Sequence, residues 1–169
     1  MEYVKLGRSN LKVSRLCLGA MGFGATDWRA WVLDAAGSAP IIDRALELGI
    51  NFFDTCDFYS AGESERILGE HLVAKQPRDS FVLATKAGNP MSKHVNGRGY
   101  SRKHLFNAID ASLLRLGTDH VDLYQTHIWD KDTELEELVD AMGDIVKSGK
   151  ARYVGVTTMP AWTLALCFW

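Results

Sequence analysis

The order of the chain predicts an α/β protein built on a parallel sheet. Short apolar, β-branched runs alternate with longer segments of helical period, and the alternation repeats about four times before closing on a fifth run. Each run is five to seven residues long, the length of a strand buried on both faces. Right-handed crossovers then place the helices outside the sheet. Such a pattern builds either an open doubly wound sheet or part of a closed barrel, and composition does not separate the two.

The elements follow in order. Tyr3–Leu6 and Leu11–Val13 read as a hairpin turned by Gly7 to Asn10. The strand-like runs are Ser14 to Gly19, Ile50 to Asp54, Phe81 to Lys86, Val121 to His127 and Arg152 to Thr157. Between them, Ile41, Ile42, Ala45, Leu46 and Leu48 make the apolar face of a helix, with Pro40 near its start and Gly49 at its end. Arg66 to Val73 gives a shorter helix. Ser101 can cap a third, whose inward stripe is Leu105, Ile109, Leu113 and Leu116 before Gly117. Thr133 and Glu136 have capping-box spacing ahead of Leu138, Val139, Met142, Ile145 and Val146, and Gly149 closes that helix. No internal repeat, low-complexity stretch or linker divides the chain, so residues 1–169 are expected to form a single domain.

Composition excludes several classes. With 169 residues, 47% of them hydrophobic, the chain can bury a substantial core, which argues against disorder. A formal charge of −2 without a Lys/Arg cluster offers nucleic acid no electrostatic footprint. Cys17, Cys56 and Cys167 lie far apart with no CxxC pair, which fits reduced thiols in a cytoplasmic protein better than a disulfide framework or a zinc site. The N-terminus lacks the apolar core of a secretory signal, and no stretch approaches the roughly 20 apolar residues of a membrane span. The expectation is a soluble cytoplasmic protein with neither nucleic-acid nor membrane partners.

In parallel α/β architectures ligands bind at the carboxyl ends of the strands, so a polar residue closing a buried strand is informative. Asp54 closes the second run, Lys86 the third, His127 the fourth, and Thr157 with Thr158 the fifth. The first run leads into Gly19-Ala20-Met21-Gly22, where backbone can approach a ligand closely. Alone, each residue has a bland explanation: Asp54 bonding a loop amide, Lys86 as a solvated strand end, His127 as a satisfied core histidine, Tyr59 as amphipathic packing. Together, at equivalent ends of successive strands, they point to one shared mouth. A tyrosine with a pKa of about 10 is a poor acid at neutral pH. A neighbouring Lys86 ammonium, held charged by Asp54, is expected to lower it, and His127 can orient a carbonyl or relay the proton. This arrangement would polarise and protonate a carbonyl oxygen.

These same residues carry a family resemblance. Gly49-Ile-Asn-Phe-Phe-Asp-Thr-Cys-Asp-Phe-Tyr59, followed by Gly62-Glu-Ser-Glu-Arg-Ile-Leu-Gly69, resembles the first signature of the aldo-keto reductase superfamily. Asp119 to His127 resembles its fourth-strand motif and Gly149 to Thr157 its fifth. Asn96-Gly-Arg-Gly-Tyr-Ser-Arg-Lys-His104, with Ile128-Trp-Asp130, is most similar to the aryl-alcohol-dehydrogenase-like branch. The resemblance implies a (β/α)₈ barrel of the TIM type with an N-terminal hairpin. It implies reduction of aldehydes or ketones by hydride from NADPH, with a small-molecule carbonyl or alcohol as substrate. Asp54, Tyr59, Lys86 and His127 fall on the catalytic four, with tyrosine as proton donor. Gly19 and Met21, together with Asp54, fall beside the nicotinamide, and Thr157 and Thr158 on the carboxamide-binding pair, where Ser or Asn is more usual.

A complete barrel of this type typically takes about 250 residues, so the chain is expected to be truncated after about the fifth strand. The ending Thr163-Leu-Ala-Leu-Cys-Phe-Trp169 reads as a fifth helix begun and abandoned. Open strand edges and uncovered helix faces would favour self-association, and the 2′-phosphate site would be missing, giving weak NADPH binding and low or absent turnover. Gly19 to Gly24 lacks the Rossmann spacing, the five histidines show no metal-ligand spacing, and no metal is expected. A glycosidase pair of Asp54 with Asp57 or Glu63 would leave Lys86 and Tyr59 without a role. The rival readings are a non-catalytic binding subunit, since potassium-channel β subunits resemble this family, and an inactive truncated product. Trp28 and Trp31, in the insert from Ala25 to Ser38, suggest an aromatic wall over the rim.

Overall fold

The computed structural model describes residues 1–166, so Cys167 and the two aromatic residues after it lie outside the described residues. The chain opens with the antiparallel hairpin β1 (Tyr3–Lys5) and β2 (Lys12–Ser14), in register Tyr3 with Ser14 and Lys5 with Lys12. It then alternates through β3 (Leu18–Gly19), α1 (Ala35–Glu47), β4 (Phe52–Asp54), α2 (Glu63–Leu68), β5 (Val82–Ala87), α3 (Arg102–Leu116), β6 (Val121–Thr126), α4 (Leu135–Lys147), β7 (Ala151–Val156) and α5 (Ala161–Leu166).

Strands β3 to β7 form a parallel sheet in the order β3-β4-β5-β6-β7. Strand order decides the question that composition left open. A doubly wound sheet reverses direction at a switch point, whereas here each strand lies beside its predecessor in sequence, as in the wall of a (β/α) barrel. Strand β5 is buried along its whole length because neighbours flank it on both sides and helices cover it. At the edge of the sheet, β7 exposes Tyr153 and Val154.

The hairpin sits at the amino ends of the strands. Asn51, just before β4, accepts from the Ser14 backbone N–H at 2.7 Å and donates its own N–H to the Ser14 hydroxyl at 3.2 Å. Tyr3 reaches the Gly49 carbonyl at 2.8 Å. The carboxyl ends remain clear for the site.

Helices α1 to α4 bury apolar residues in the core. Leu105, Ile109 and Leu116 of α3 and Leu138, Met142 and Ile145 of α4 join Phe53, Leu83 and Tyr124 in one continuous core. Ser101 caps α3 by accepting from the His104 backbone N–H at 3.2 Å, and Gly117 ends it at φ +68°. Gly49 and Gly149, at φ +80° and +82°, likewise follow the ends of α1 and α4, while several other boundaries depart from the pattern. Helix α1 begins at Ala35 under an Asp34 cap, which places Pro40 inside the helix. Thr133 and Glu136 form no capping box: Glu134 holds the cap position without a side-chain bond, and the Thr133 hydroxyl is buried without a partner. The expected first strand is interrupted at Arg15 to Cys17, because the chain passes there from the hairpin to the sheet. The helix expected over Arg66 to Val73 begins at Glu63 and ends in a π-helical turn over Gly69–Val73.

Candidate active site

The segment leaving β4 carries the densest chemistry. The pairing of β4 with β5 continues past its last assigned residue, since Thr55 donates its N–H to Ala84 at 2.9 Å and Asp57 to Lys86 at 3.2 Å. This extension keeps Asp54, Cys56 and Asp57 rigid at the strand mouth. The chain then turns through Ser60 and Ala61, both with φ near +50°, a left-handed conformation that non-glycine residues adopt only under surrounding constraint. Ser60 supplies part of that constraint by accepting from the Ala25 backbone N–H at 3.2 Å. The turn begins with Tyr59 buried beside the strand ends.

Lys86 is the hub. Its Nζ donates to Asp54 Oδ2 at 2.5 Å, to the Thr55 carbonyl at 2.8 Å and to the Tyr59 hydroxyl at 3.4 Å. Only 7% of the lysine side chain meets solvent, against 25% of that of Asp54. Burial works to discharge the ammonium, but the Asp54 carboxylate and its hydrogen bond outweigh burial and raise the pKa. Lys86 therefore stays cationic at neutral pH. Across the mouth, the rings of Tyr59 and His127 meet edge to face, with centroids 5.5 Å apart.

The tyrosine departs from expectation. Lys86 does pull the phenol pKa down, but burial acts more strongly in the opposite direction, and the net shift is upward. The phenol is therefore firmly protonated at neutral pH, with the Lys86 cation beside its hydroxyl. His127 shifts downward, first through burial and then through the Lys86 charge, so its imidazole is neutral near pH 7.

Three participants had not been singled out from sequence. Asn89 directs its Nδ2 amide at His127 Nδ1, 2.7 Å away, and Cys56 Sγ lies 2.9 Å from the same nitrogen. An amide N–H can only donate, so Nδ1 is the acceptor and the neutral ring carries its proton on Nε2. Gln125 donates to Asp54 Oδ1 at 3.3 Å, fixing the carboxylate oxygen that Lys86 leaves free. Strand register carried a signal for Gln125, which pairs directly with Lys86. For Asn89 and Cys56 no spacing rule applies, because their bonds span 38 and 71 residues of chain.

The residues assigned to a cofactor differ among themselves. Gly19, in register with Asp54, is exposed, and a Cβ there would meet nothing within 4 Å. Met21 is 46% exposed. The Thr157 hydroxyl is occupied by the backbone carbonyls of His127 at 2.6 Å and Thr126 at 3.1 Å, so it ties β7 to the His127 segment. Thr158 is exposed, at φ +50°. Trp28 meets Trp31 and Phe58 edge to face at 6.2 and 6.0 Å, so the insert packs on the segment that presents Tyr59. Among the described residues, no three His, Cys, Asp or Glu side chains converge to hold a metal, and no helix is long and apolar enough to cross a membrane.

A parallel β/α wall with lysine, aspartate, tyrosine and histidine gathered at its carboxyl mouth defines an α/β protein with its candidate site at the strand ends. The family follows from comparison: the aldo/keto reductase family pattern matches residues 15–167, and the chain belongs to that family. It is 43% identical to versiconal hemiacetal acetate reductase of Aspergillus parasiticus, over 96% of this chain and 52% of that protein. It is 39% identical to norsolorinic acid reductase B of the same species, over 93% of this chain and 43% of the relative. A Schizosaccharomyces pombe protein with an aryl-alcohol dehydrogenase name is 38% identical, over 93% and 51% respectively. The chain thus spans about half the length of the curated relatives it matches.

Proposed function

We propose that this protein is an oxidoreductase that reduces aldehydes or ketones to alcohols, with Tyr59 as proton donor and NADPH as reductant. The observation that carries this reading is the contact of Lys86 with both Asp54 and the Tyr59 hydroxyl. A carbonyl gains negative charge on oxygen as it is reduced, and a buried phenol beside a fixed ammonium is suited to receive that charge and deliver a proton. Asp54 keeps Lys86 charged, and the Thr55 carbonyl and Gln125 hold the pair in place. His127, with its proton on Nε2, orients the substrate oxygen without itself needing to ionise.

Bound NADPH supplies the hydride in this chemistry. Exposed Gly19 and Met21 leave room for the nicotinamide end beside Asp54, and Thr158 is accessible to its carboxamide. Thr157 contributes only as an acceptor, since its proton is directed at backbone. The phosphate preference, the small-molecule carbonyl substrate and a cytoplasmic setting rest on the family resemblance, which the reductase names of the relatives support.

Tyr59→Phe tests the assignment. The variant keeps the ring contact with His127 and loses only the hydroxyl. NADPH oxidation with an aromatic aldehyde should fall by about 10²–10⁴-fold, the range expected when a general acid is removed. An unchanged rate in the variant refutes the reading.

A further inference from the structure

Strands β5 and β6 end together, Ala87 opposite Thr126, and His127 comes just past that end. Its N–H makes the last bond between the two, to the Ala87 carbonyl at 2.9 Å. The chain leaving β5 then turns away at Gly88, φ +125°, so strand pairing offers Ile128 nothing for its N–H or its carbonyl. Unpartnered backbone groups are costly, and a segment left with two of them is poorly anchored. Yet this segment must hold the His127 ring against Asn89 and Tyr59.

Tyr100 takes the place of the missing strand neighbour. It is buried in the core directly before Ser101, the cap of α3, and is thereby tied to a packed helix. Its hydroxyl accepts from the Ile128 N–H at 3.0 Å, shares the His127 N–H at 3.0 Å, and donates to the Ile128 carbonyl. A phenol has a single proton to give, and here that proton and the acceptor side are both committed to backbone. Burial raises the Tyr100 pKa, so the hydroxyl keeps the proton it donates. Unlike Tyr59, it has nothing left to offer a substrate.

The ring makes a second contact. A Cβ at Gly88 would overlap the Tyr100 hydroxyl and ring carbons, so glycine lets the ring lie directly on that backbone. The Gly99 N–H pins the same point by donating to the Gly88 carbonyl at 2.9 Å. Gly88 immediately precedes Asn89, whose amide sets the His127 tautomer. On the other side, the Thr157 hydroxyl holds the His127 carbonyl at 2.6 Å. We propose that Tyr100 is a positioning residue: its hydroxyl fixes the backbone that carries His127, and its ring seats the turn that presents Asn89, so that imidazole and amide stay in register. The consequence for carbonyl reduction rests on the function proposed above, whereas the consequence for the imidazole does not.

Tyr100→Phe removes one oxygen and keeps the ring on Gly88. Long-range nitrogen–proton NMR of the whole chain should show His127 changed from a single Nε2-protonated ring to a mixture of tautomers. Reduction of an aromatic aldehyde should lose about 10-fold or more in kcat with KM for NADPH unchanged, since misplacing a group at the site slows chemistry without touching the cofactor. Tyr124→Phe is the control: it deletes another buried hydroxyl, bonded to the Leu105 carbonyl at 3.4 Å, and should leave the His127 spectrum as it is. Should Tyr100→Phe fail to fold, the unsubstituted chain decides. There the Ile128 amide, on an exposed residue just past the strand, should exchange with solvent roughly 100-fold or more slowly than a free amide. An unaltered His127 spectrum or undiminished kcat in Tyr100→Phe, an equal disturbance in Tyr124→Phe, or unprotected exchange at Ile128 would each overturn the proposal. If Tyr59→Phe leaves reduction unchanged, the proposed function falls and the His127 spectrum alone decides for Tyr100.

Discussion

Arg115 and Glu65 offer the most direct test of how the core is held together. Glu65 is fully buried under α3, with Oε2 2.6 Å from Arg115 Nε and Oε1 2.5 Å from the Thr85 hydroxyl. The Arg115 side chain is itself only 14% exposed. Arg115→Ala would leave a buried carboxylate with one hydroxyl for company. Breaking a buried pair in this way costs about 3–5 kcal/mol, and the retained Thr85 bond places the expected loss near the lower end, about 3 kcal/mol. A chain of this size loses roughly 2–4 °C of melting temperature per kcal/mol, so the midpoint should drop by roughly 6–12 °C. Urea unfolding followed by circular dichroism measures the loss directly. The paired replacement Glu65→Met with Arg115→Met should restore stability to within about 1.5 kcal/mol, since similar apolar volume removes both desolvated charges. A loss under about 1 kcal/mol in Arg115→Ala would show that Glu65 is protonated or hydrated, and the electrostatic account of this contact would fail.

Two further outcomes follow from the charge environments. Burial, reinforced by Glu65, raises the Asp57 pKa to about 7, so the folded chain holds this proton after the unfolded chain has released it. Stability should therefore fall as pH rises from about 4 to about 7. Asp57→Asn should remove that slope, which denaturant melts across the window would detect. His127 should titrate below its usual range, and long-range nitrogen–proton NMR should find its neutral ring protonated on Nε2. Asn89→Leu should mix the two tautomers while leaving the fold intact; an unchanged spectrum would assign the control of the ring to Cys56 alone.

Much of this architecture was legible in the sequence because local rules coincide with tertiary ones. A strand buried on both faces must be apolar throughout, so Asp54, Lys86 and His127 stand out where their strands end. Ser101 and Gly117 bound α3 by interactions that span a few residues, and their roles were readable for that reason. Thr133 had the same local spacing and failed, because the chain entering α4 positions Glu134 at the cap instead. Likewise, the sequence presented Lys86 as an agent that acidifies Tyr59. Folding added a burial term of opposite sign, and burial prevails.

The linear order alone determined the parallel βα alternation, the hairpin ahead of it and the polar residues that share one end of the strands, since each depends on periodicity or on position within an element. Tertiary structure decided what those residues meet. The Asn89 and Cys56 contacts on His127 and the Gln125 clamp on Asp54 all join segments far apart in the chain. Such contacts are set by which strand lies beside which, and by how much water is excluded once they meet. No local pattern encodes either quantity.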